Sequence, residues 1–277
     1  MQTGMKRHFV LIGTGLGLYG IYVILILVLG LELWVLILAY LAIIVTAYFI
    51  NRKTIMSLRG NYFYLAGRME KARLLLQKAV DSGVKSPASH IYLALILMQE
   101  GHNTTDAFKY LDKAIELSKN PVDERSAIIS KATCHWINKD AKAAIKTLED
   151  MRASQEYTNA ATLANLAFLY MVEEDLDKAM DITNQGIDDE PEHAALWDNL
   201  GQILYKQGKT EKAKEAFVHA LSLRATMADS NYFLGLIHEA EGDADTAKEY
   251  FRKAAISPIG FFNTVTQEQA DAKYNEG

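Results

Sequence analysis

The sequence has little of three things: cysteine, proline and positive charge. A single cysteine, Cys134, in 277 residues excludes an internal disulfide framework and any zinc site built from several thiolates. Four prolines leave long stretches of the chain free to be helical. The formal net charge of −5 argues against nucleic acid as a partner, because nucleic-acid binding usually requires a basic face.

Charged residues are almost absent from residues 9–50, a long segment near the N-terminus in which Glu32 is the only one. A helix that is apolar on all sides belongs in lipid or in a large core. One straight helix over this segment would be about 63 Å long, roughly twice the hydrocarbon thickness of a bilayer, so we expect a turn at Glu32. The predicted segments are an N-terminus at 1–8, a first transmembrane helix at 9–29 and a second transmembrane helix at 33–50.

The glycines of "GTGLGLYG" have the spacing of a dinucleotide-binding turn at Gly15, Gly17 and Gly20. That turn requires strand–helix units, and no further units of this kind follow. Gly13 and Gly17 instead form a G-x-x-x-G, which lets membrane helices approach closely. We favour packing within the hairpin over packing between two molecules. A cleaved secretory signal is disfavoured, because the apolar run is long and no A-x-A-like site ends it.

The basic residues near the span ends predict the orientation. Lys6 and Arg7 precede the first span, Arg52 and Lys53 follow the second, and the turn between the spans has no Lys or Arg. Since Lys and Arg are enriched in cytoplasmic segments, both termini are expected in the cytoplasm. The sequence therefore predicts an integral membrane protein that contacts lipid through residues 9–50, with a bacterial inner membrane as the expected location.

After residue 50 the sequence repeats with a period of about 34 residues. The stretch "WDNLGQILYKQGKTEKAKEAFVHAL", with Trp197, Gly201, Ala213 and Phe217, resembles the tetratricopeptide repeat. The resemblance implies an all-α solenoid of about six helix-turn-helix repeats over 53–258, with a C-terminal tail or capping segment at 259–277. The alanine of each second helix recurs at Ala72, Ala107, Ala144, Ala179, Ala213 and Ala247, and a small residue of each first helix recurs at Gly60, Ala94, Ala132, Ala167, Gly201 and Gly235.

Apart from the disfavoured glycine spacing at 15–20, no catalytic, cofactor-binding or metal-binding motif stands out in the sequence, and no small-molecule substrate is evident. In the family that the chain resembles, the first helices line a concave groove that holds a segment of a partner protein. Asp229 and Phe233 replace the basic clamp that some members use to bind a terminal carboxylate, so such a ligand is not expected. The resemblance implies a groove at Ile91, Leu95, Met98, Ile129, Thr133, Trp136, Asn165, Phe168, Met171, Asp198, Asn199, Gln202, Tyr205, Tyr232 and Glu239. Core packing between helices is the alternative for the apolar members of this set.

The junction between anchor and repeats, "FINRKTIMSL", has neither glycine nor proline. The second span is therefore predicted to continue as the first helix of the first repeat, and a hinge at Asn51 is the alternative. The basic residues expected near the membrane surface are Arg52, Lys53, Arg59, Arg68, Lys71 and Arg73.

Two functions fit this organisation. The first is a membrane-anchored adaptor or scaffold that binds partner proteins through the groove. The second is an accessory subunit of a membrane enzyme, transport or envelope-assembly complex, in which the transmembrane hairpin makes the specific contacts.

Overall fold

The computed structural model describes residues 20, 21, 23, 24, 33–101, 104–154 and 159–276. The predicted N-terminus at 1–8, most of the first transmembrane helix and the turn at Glu32 lie outside the described residues.

The regular structure of the described residues is α-helical, as predicted. Six antiparallel helix pairs follow one another from the end of α1 to α12, and α13 packs on α12. The helices are α1 (Leu33–Leu65), α2 (Met69–Asp81), α3 (Pro87–Gln99), α4 (Thr104–Leu117), α5 (Pro121–Ile137), α6 (Ala141–Ser154), α7 (Ala160–Val172), α8 (Leu176–Asp189), α9 (Ala194–Lys206), α10 (Thr210–Leu223), α11 (Ala228–Ala240), α12 (Ala244–Ile256) and α13 (Gln267–Glu276).

Helix α1 runs without a break from the apolar segment into the first repeat. At about 1.5 Å per residue it is about 50 Å long. The side chain of Asn51 donates to the carbonyl of Ala47, 2.8 Å away, within the same helix. The continuous helix is confirmed, and the alternative of a hinge at Asn51 is wrong. Ile37–Leu65 is long and apolar enough to cross a membrane, and almost none of it is buried against the rest of the chain.

The direction of α1 and α2 places the basic residues of this region at two opposite ends of the first repeat. The Nζ of Lys53 donates to the carbonyl of Gly83, 3.3 Å away, so the end of α2 lies beside the start of the first repeat. Arg68 follows the opposite end of α1, whose last residue, Leu65, lies about 22 Å along the helix axis from residue 50. Arg73 pairs with Glu100 at that same distant end. Arg68 and Arg73 therefore lie at the end of the first repeat remote from residue 50, and the expectation that they and Lys71 approach the membrane surface stays a prediction.

The starts of several first helices are fixed by side-chain caps. Ser86, Asn120 and Asn159 each accept a hydrogen bond from the backbone N–H three residues later. Such caps satisfy N–H groups that have no partner inside the helix, and each typically contributes about 1 kcal/mol. Pro87 and Pro121 stand in the first turn of α3 and α5, where a missing N–H costs nothing. The local sequence thus sets where each repeat begins.

The two helices of a repeat cross where one of them carries a small residue. A Cβ placed on Gly201 would lie 2.6 Å from the ring of Phe217, and one on Gly235 would lie 2.5 Å from the ring of Phe251. Ala213 and Phe217 are fully buried. The recurring small residues are therefore the points at which the paired helices touch.

We expect Gly201→Leu to lower the melting temperature of the full chain in detergent, as followed by circular dichroism. The added side chain would overlap the Phe217 ring, and such overpacking typically costs about 1–3 kcal/mol or more. Lys206→Leu, on the exposed last turn of the same helix, is the matched control and should leave the melting curve close to that of the wild type. Equal melting curves for both variants would contradict the assigned crossing.

Candidate functional site

The concave face formed by the first helices is occupied by the chain itself. After α12, residues 257–266 form an irregular stretch, which we name the C-terminal segment. It contacts Trp136 on α5, Phe168 on α7, Gln202 on α9 and Asp229 on α11. These residues belong to the first helices of four successive repeats. The C-terminal segment therefore lies along the face on which the sequence predicts a groove.

One end of this contact is aromatic. The indole N–H of Trp136 donates to the carbonyl of Phe261, 2.7 Å away. The ring of Phe262 meets the ring of Phe168 edge-on, with centroids 5.6 Å apart, and Trp136 meets the same ring edge-on at 5.4 Å. Phe261 also packs against the apolar cluster that contains Met98. Edge-on aromatic pairs of this kind add to the energy of burial.

The other end of this contact is polar and forms hydrogen bonds with the backbone of the segment. The carboxylate of Asp229 accepts from the N–H groups of Thr264 and Val265, at 3.0 and 2.9 Å. The hydroxyl of Thr264 donates to Oε1 of Gln202 at 2.6 Å. The Nε2 of Gln202 donates to carboxylate oxygens of Asp198 and Asp229, at 2.8 and 3.2 Å. These side chains are almost fully buried, and together they form what we name the acidic pair site: Asp198, Asp229, Gln202 and Ser230.

Two carboxyl groups buried together change their own protonation. Burial raises the pKa of Asp198, and the nearby charge of Asp229 raises it further, while hydrogen bonds from Ser230 and Gln202 and the charge of Arg224 lower it. Burial also raises the pKa of Asp229, against the lowering effect of the N–H groups of Thr264 and Val265. The hydroxyl of Ser230 donates to Asp198. With the C-terminal segment in place, the acidic pair site therefore retains protons at a pH where exposed carboxyl groups have lost them.

Helix α13 holds the far end of the C-terminal segment. The Nζ of Lys273 pairs with the carboxylate of Glu239 on α11 at 2.9 Å and lies 5.6 Å from the centre of the Phe251 ring. Ala270 and Val265 are buried against Ala254 of the last repeat. The ion pair is largely exposed and contributes little by itself, so the buried apolar contacts fix α13 in place.

The predicted groove residues fall into three groups. Those buried among the helices or in the acidic pair site are Ile91, Met98, Thr133, Phe168, Met171, Asp198, Asn199 and Gln202. Those partly exposed are Leu95, Ile129, Trp136, Asn165, Tyr205 and Tyr232. Glu239 is exposed and pairs with Lys273. Trp136, Phe168 and Gln202 touch the C-terminal segment directly.

Several of the buried residues have a structural explanation that removes them from a ligand surface. Ile91 and Met98 pack in the core between the second and third repeats, and Met171 packs in the core of the next repeats. The side chain of Asn199 donates to the carbonyl of Ala164 at 2.8 Å, which joins α9 to α7. Thr133 donates to the carbonyl of Ile129 within its own helix. Ile91, Met98 and Met171 thus occupy core positions, whereas Asn199 and Thr133 make hydrogen bonds between and within helices.

Sequence reasoning missed the residues that matter most here. Asp229 was noticed as a departure from a basic clamp, but its contacts with the C-terminal segment were not predicted. The two adjacent phenylalanines, Phe261 and Phe262, fall in the stretch that the sequence predicts as a tail or capping segment. Their position after Pro258, in a stretch outside the repeat pattern, was the available signal. Phenylalanines are seldom placed in an exposed tail without a surface to cover them.

The remaining chemistry of the described residues is limited. Burial raises the pKa of Cys134 to about 11, so its thiol stays protonated and packed. Within the ranges that the structure describes, no three His, Cys, Asp or Glu side chains lie close enough to hold a metal ion.

Comparison with known proteins supports the repeat architecture. A family model described as a tetratricopeptide repeat-like domain matches residues 83–232, and a tetratricopeptide repeat model matches residues 228–255. The structure of a tetratricopeptide repeat protein from Parabacteroides merdae has a TM-score of 0.67 and 15% identity, covering 81% of this chain and 84% of that one. PilF of Pseudomonas aeruginosa has a TM-score of 0.57 and 17% identity, covering 81% and 95%.

One curated relative is matched over part of its length. The peroxisomal targeting signal receptor of Candida albicans is 24% identical over 165 residues, which is 58% of this chain and 28% of that protein. The chain thus spans about a quarter of the length of the first curated relatives that it matches.

We expect protection of the Thr264 and Val265 amides in hydrogen exchange, corrected for intrinsic rates, to fall as pH rises from about 4 towards neutral. Asp198 and Asp229 have raised pKa values while the C-terminal segment covers them, so the covered form binds more protons than a form in which water reaches the pair. The covered form therefore loses stability as the pair ionises. Asp198→Asn removes one member of the pair and should flatten this dependence. Protection that increases with pH would show that the sign is wrong.

Proposed function

Since this chain belongs to the tetratricopeptide repeat family, we propose that it is a non-enzymatic, membrane-anchored adaptor that binds a partner protein through the concave face of its repeats. The anchor is the apolar part of α1 together with the preceding apolar segment, and the repeats lie on the cytoplasmic side of a bacterial inner membrane. The relative named as a peroxisomal targeting signal receptor agrees with a repeat array that recognises a segment of another protein.

The observation that carries this proposal is the way in which the concave face holds residues 261–265. Trp136 and Asp229 contact a carbonyl and two N–H groups, which every non-proline residue offers. The apolar clusters around Phe168 receive side chains. Backbone contacts that give affinity, combined with pockets that give specificity, are the means by which proteins bind extended peptides. The face is thus suited to a segment of protein chain.

The continuous helix supports the anchoring part of the proposal. Side chains along the apolar part of α1, including Ile44 and Phe49, are about half exposed or more, which is unfavourable in water and favourable in lipid. Lys53 and the adjacent turn at Gly83 lie just beyond this segment. A basic side chain near anionic lipid can add about 1 kcal/mol of membrane affinity.

The alternative of an accessory subunit has one specific observation in its favour. Leu58, Tyr62 and Leu65 form an exposed apolar stripe on the outer face of the first repeat, beyond the predicted membrane segment. Their spacing of four and three residues places them on one face of α1. An adjacent membrane protein that covered this stripe would make α1, rather than the concave face, the specific contact.

A photocrosslinking residue placed in the chain in native membranes distinguishes the two functions. For the adaptor, a crosslinker at Asn165 on the concave face of α7 should form an adduct with another protein, and a crosslinker at Leu58 should not. The matched control is Val218, which is exposed on a second helix, α10. An adduct from Leu58 alone would favour the accessory subunit instead.

The topology is tested by cysteine labelling. In intact cells a membrane-impermeant maleimide should label Glu32→Cys from outside, whereas Lys212→Cys, on an exposed turn of α10, should be labelled only after lysis. The native Cys134 is fully buried and gives no interfering signal while the protein is folded. Labelling of Lys212→Cys before lysis would place the repeats outside the cytoplasm.

A further inference from the structure

The C-terminal segment occupies the concave face in the manner of a ligand, although it belongs to the same chain. Within residues 260–265, hydrogen bonds and ring contacts reach the first helices, and Phe261, Phe262 and Val265 pack against apolar clusters. The segment has no regular structure of its own. The residues that hold it come from four repeats. A partner segment directed at this face meets an occupant that is already bound.

From this arrangement we infer that the C-terminal segment is a displaceable internal occupant, and that the partner offers an extended segment of the same chemistry. That chemistry is two adjacent aromatic residues, a spacer residue, a small hydroxyl residue and an aliphatic residue. This inference rests on the proposed adaptor function, because it specifies what the concave face binds and what keeps that face closed.

The contacts define what each position of the partner must supply. The position of Phe261 supplies a carbonyl to Trp136, and the position of Phe262 supplies a ring to Phe168. The positions of Thr264 and Val265 supply two consecutive N–H groups to one carboxylate. Proline lacks an N–H, so it is excluded from these last two positions.

The acidic pair site also determines what the partner must avoid. Asp198 and Asp229 are buried side by side, and an acidic side chain next to them would add a further carboxylate to a poorly solvated site that already holds two carboxyl groups. Like-charge contacts of this kind exclude wrong partners as effectively as good contacts select the right one. The inferred partner segment therefore has no acidic residue between its aromatic pair and its aliphatic residue.

Competition follows from the covalent connection of the occupant. The C-terminal segment is tied to α12 on one side and to the docked α13 on the other, so its effective concentration at the face is high, on the order of millimolar. A partner segment in free solution must exceed this value or bind more tightly. The wild-type chain should therefore bind weakly in trans until the internal segment leaves.

The probe that tests this inference is a peptide with the sequence of residues 258–267, PIGFFNTVTQ, acetylated and amidated so that it has no terminal charges. The protein is the full chain in detergent, either wild type or Phe261→Ala/Phe262→Ala, which removes the two aromatic contacts of the internal segment. We expect the labelled peptide to bind the double variant at least about tenfold more tightly than the wild type, since an intramolecular competitor at high effective concentration is weakened.

Two peptide controls and one protein control locate the binding. Peptides with both phenylalanines changed to alanine, or with proline at the positions of Thr264 and Val265, should lose binding to the double variant. Adding Asp229→Asn to the double variant should also weaken binding, because the amide replaces one acceptor oxygen by a donor. Leu58→Ala, far from the concave face on α1, is the matched protein control and should have no effect.

A measurement on the wild type guards against a double variant that does not fold. Saturating PIGFFNTVTQ peptide should increase deuterium uptake in the chain's own residues 261–265, because displacement exposes their amides. Equal binding to wild type and double variant, binding that survives the proline substitutions, or unchanged uptake at saturation would each overturn the inference.

The failure of this inference and the failure of the adaptor function are distinguishable. If the crosslinker at Asn165 captures a partner while the peptide never displaces the internal segment, the adaptor function stands and the internal segment is a fixed structural element. If the peptide displaces the segment but no adduct forms in membranes, the competition is established and the adaptor function fails.

Discussion

The architecture depends on the close approach of two helices at a small residue. In each of the last two repeats a glycine of the first helix lies against a phenylalanine ring of the second, too close for any Cβ. This contact sets the distance and angle within a helix pair, and stacking of equal pairs then brings all the first helices to one face. The concave face is therefore a consequence of repeated crossings rather than of any feature designed into one helix.

The repeating part of the fold was accessible from the sequence because the same physical requirement occurs six times. Local sequence rules predict the small residues at the helix crossings, such as Gly201 and Ala213, and the uninterrupted helix across Asn51. One sequence is enough to apply these rules. The path of the C-terminal segment is different. The hydrogen bond from Trp136 to Phe261 joins residues 125 positions apart and occurs once, so no periodicity announces it.

Two further differences have physical causes. Arg68 is close to the second span along the chain, whereas the straight helix α1, at about 1.5 Å per residue, separates it in space from residue 50. The apolar residues Ile91 and Met98 satisfy core packing and a groove pattern equally well, because the core face and the concave face of a first helix are adjacent within one turn. Only the neighbours in space decide between these roles.

The C-terminal segment also has a mechanical consequence. Helical solenoids change their curvature through small rotations between neighbouring repeats, like the coils of a spring. The C-terminal segment is bound to the third, fourth, fifth and sixth repeats and connects them across their concave side. With the C-terminal segment bound, the pitch of the superhelix is fixed over most of the array. Once the segment is detached, the last four repeats can change their curvature around whatever they enclose, while α1 continues to hold the first repeat.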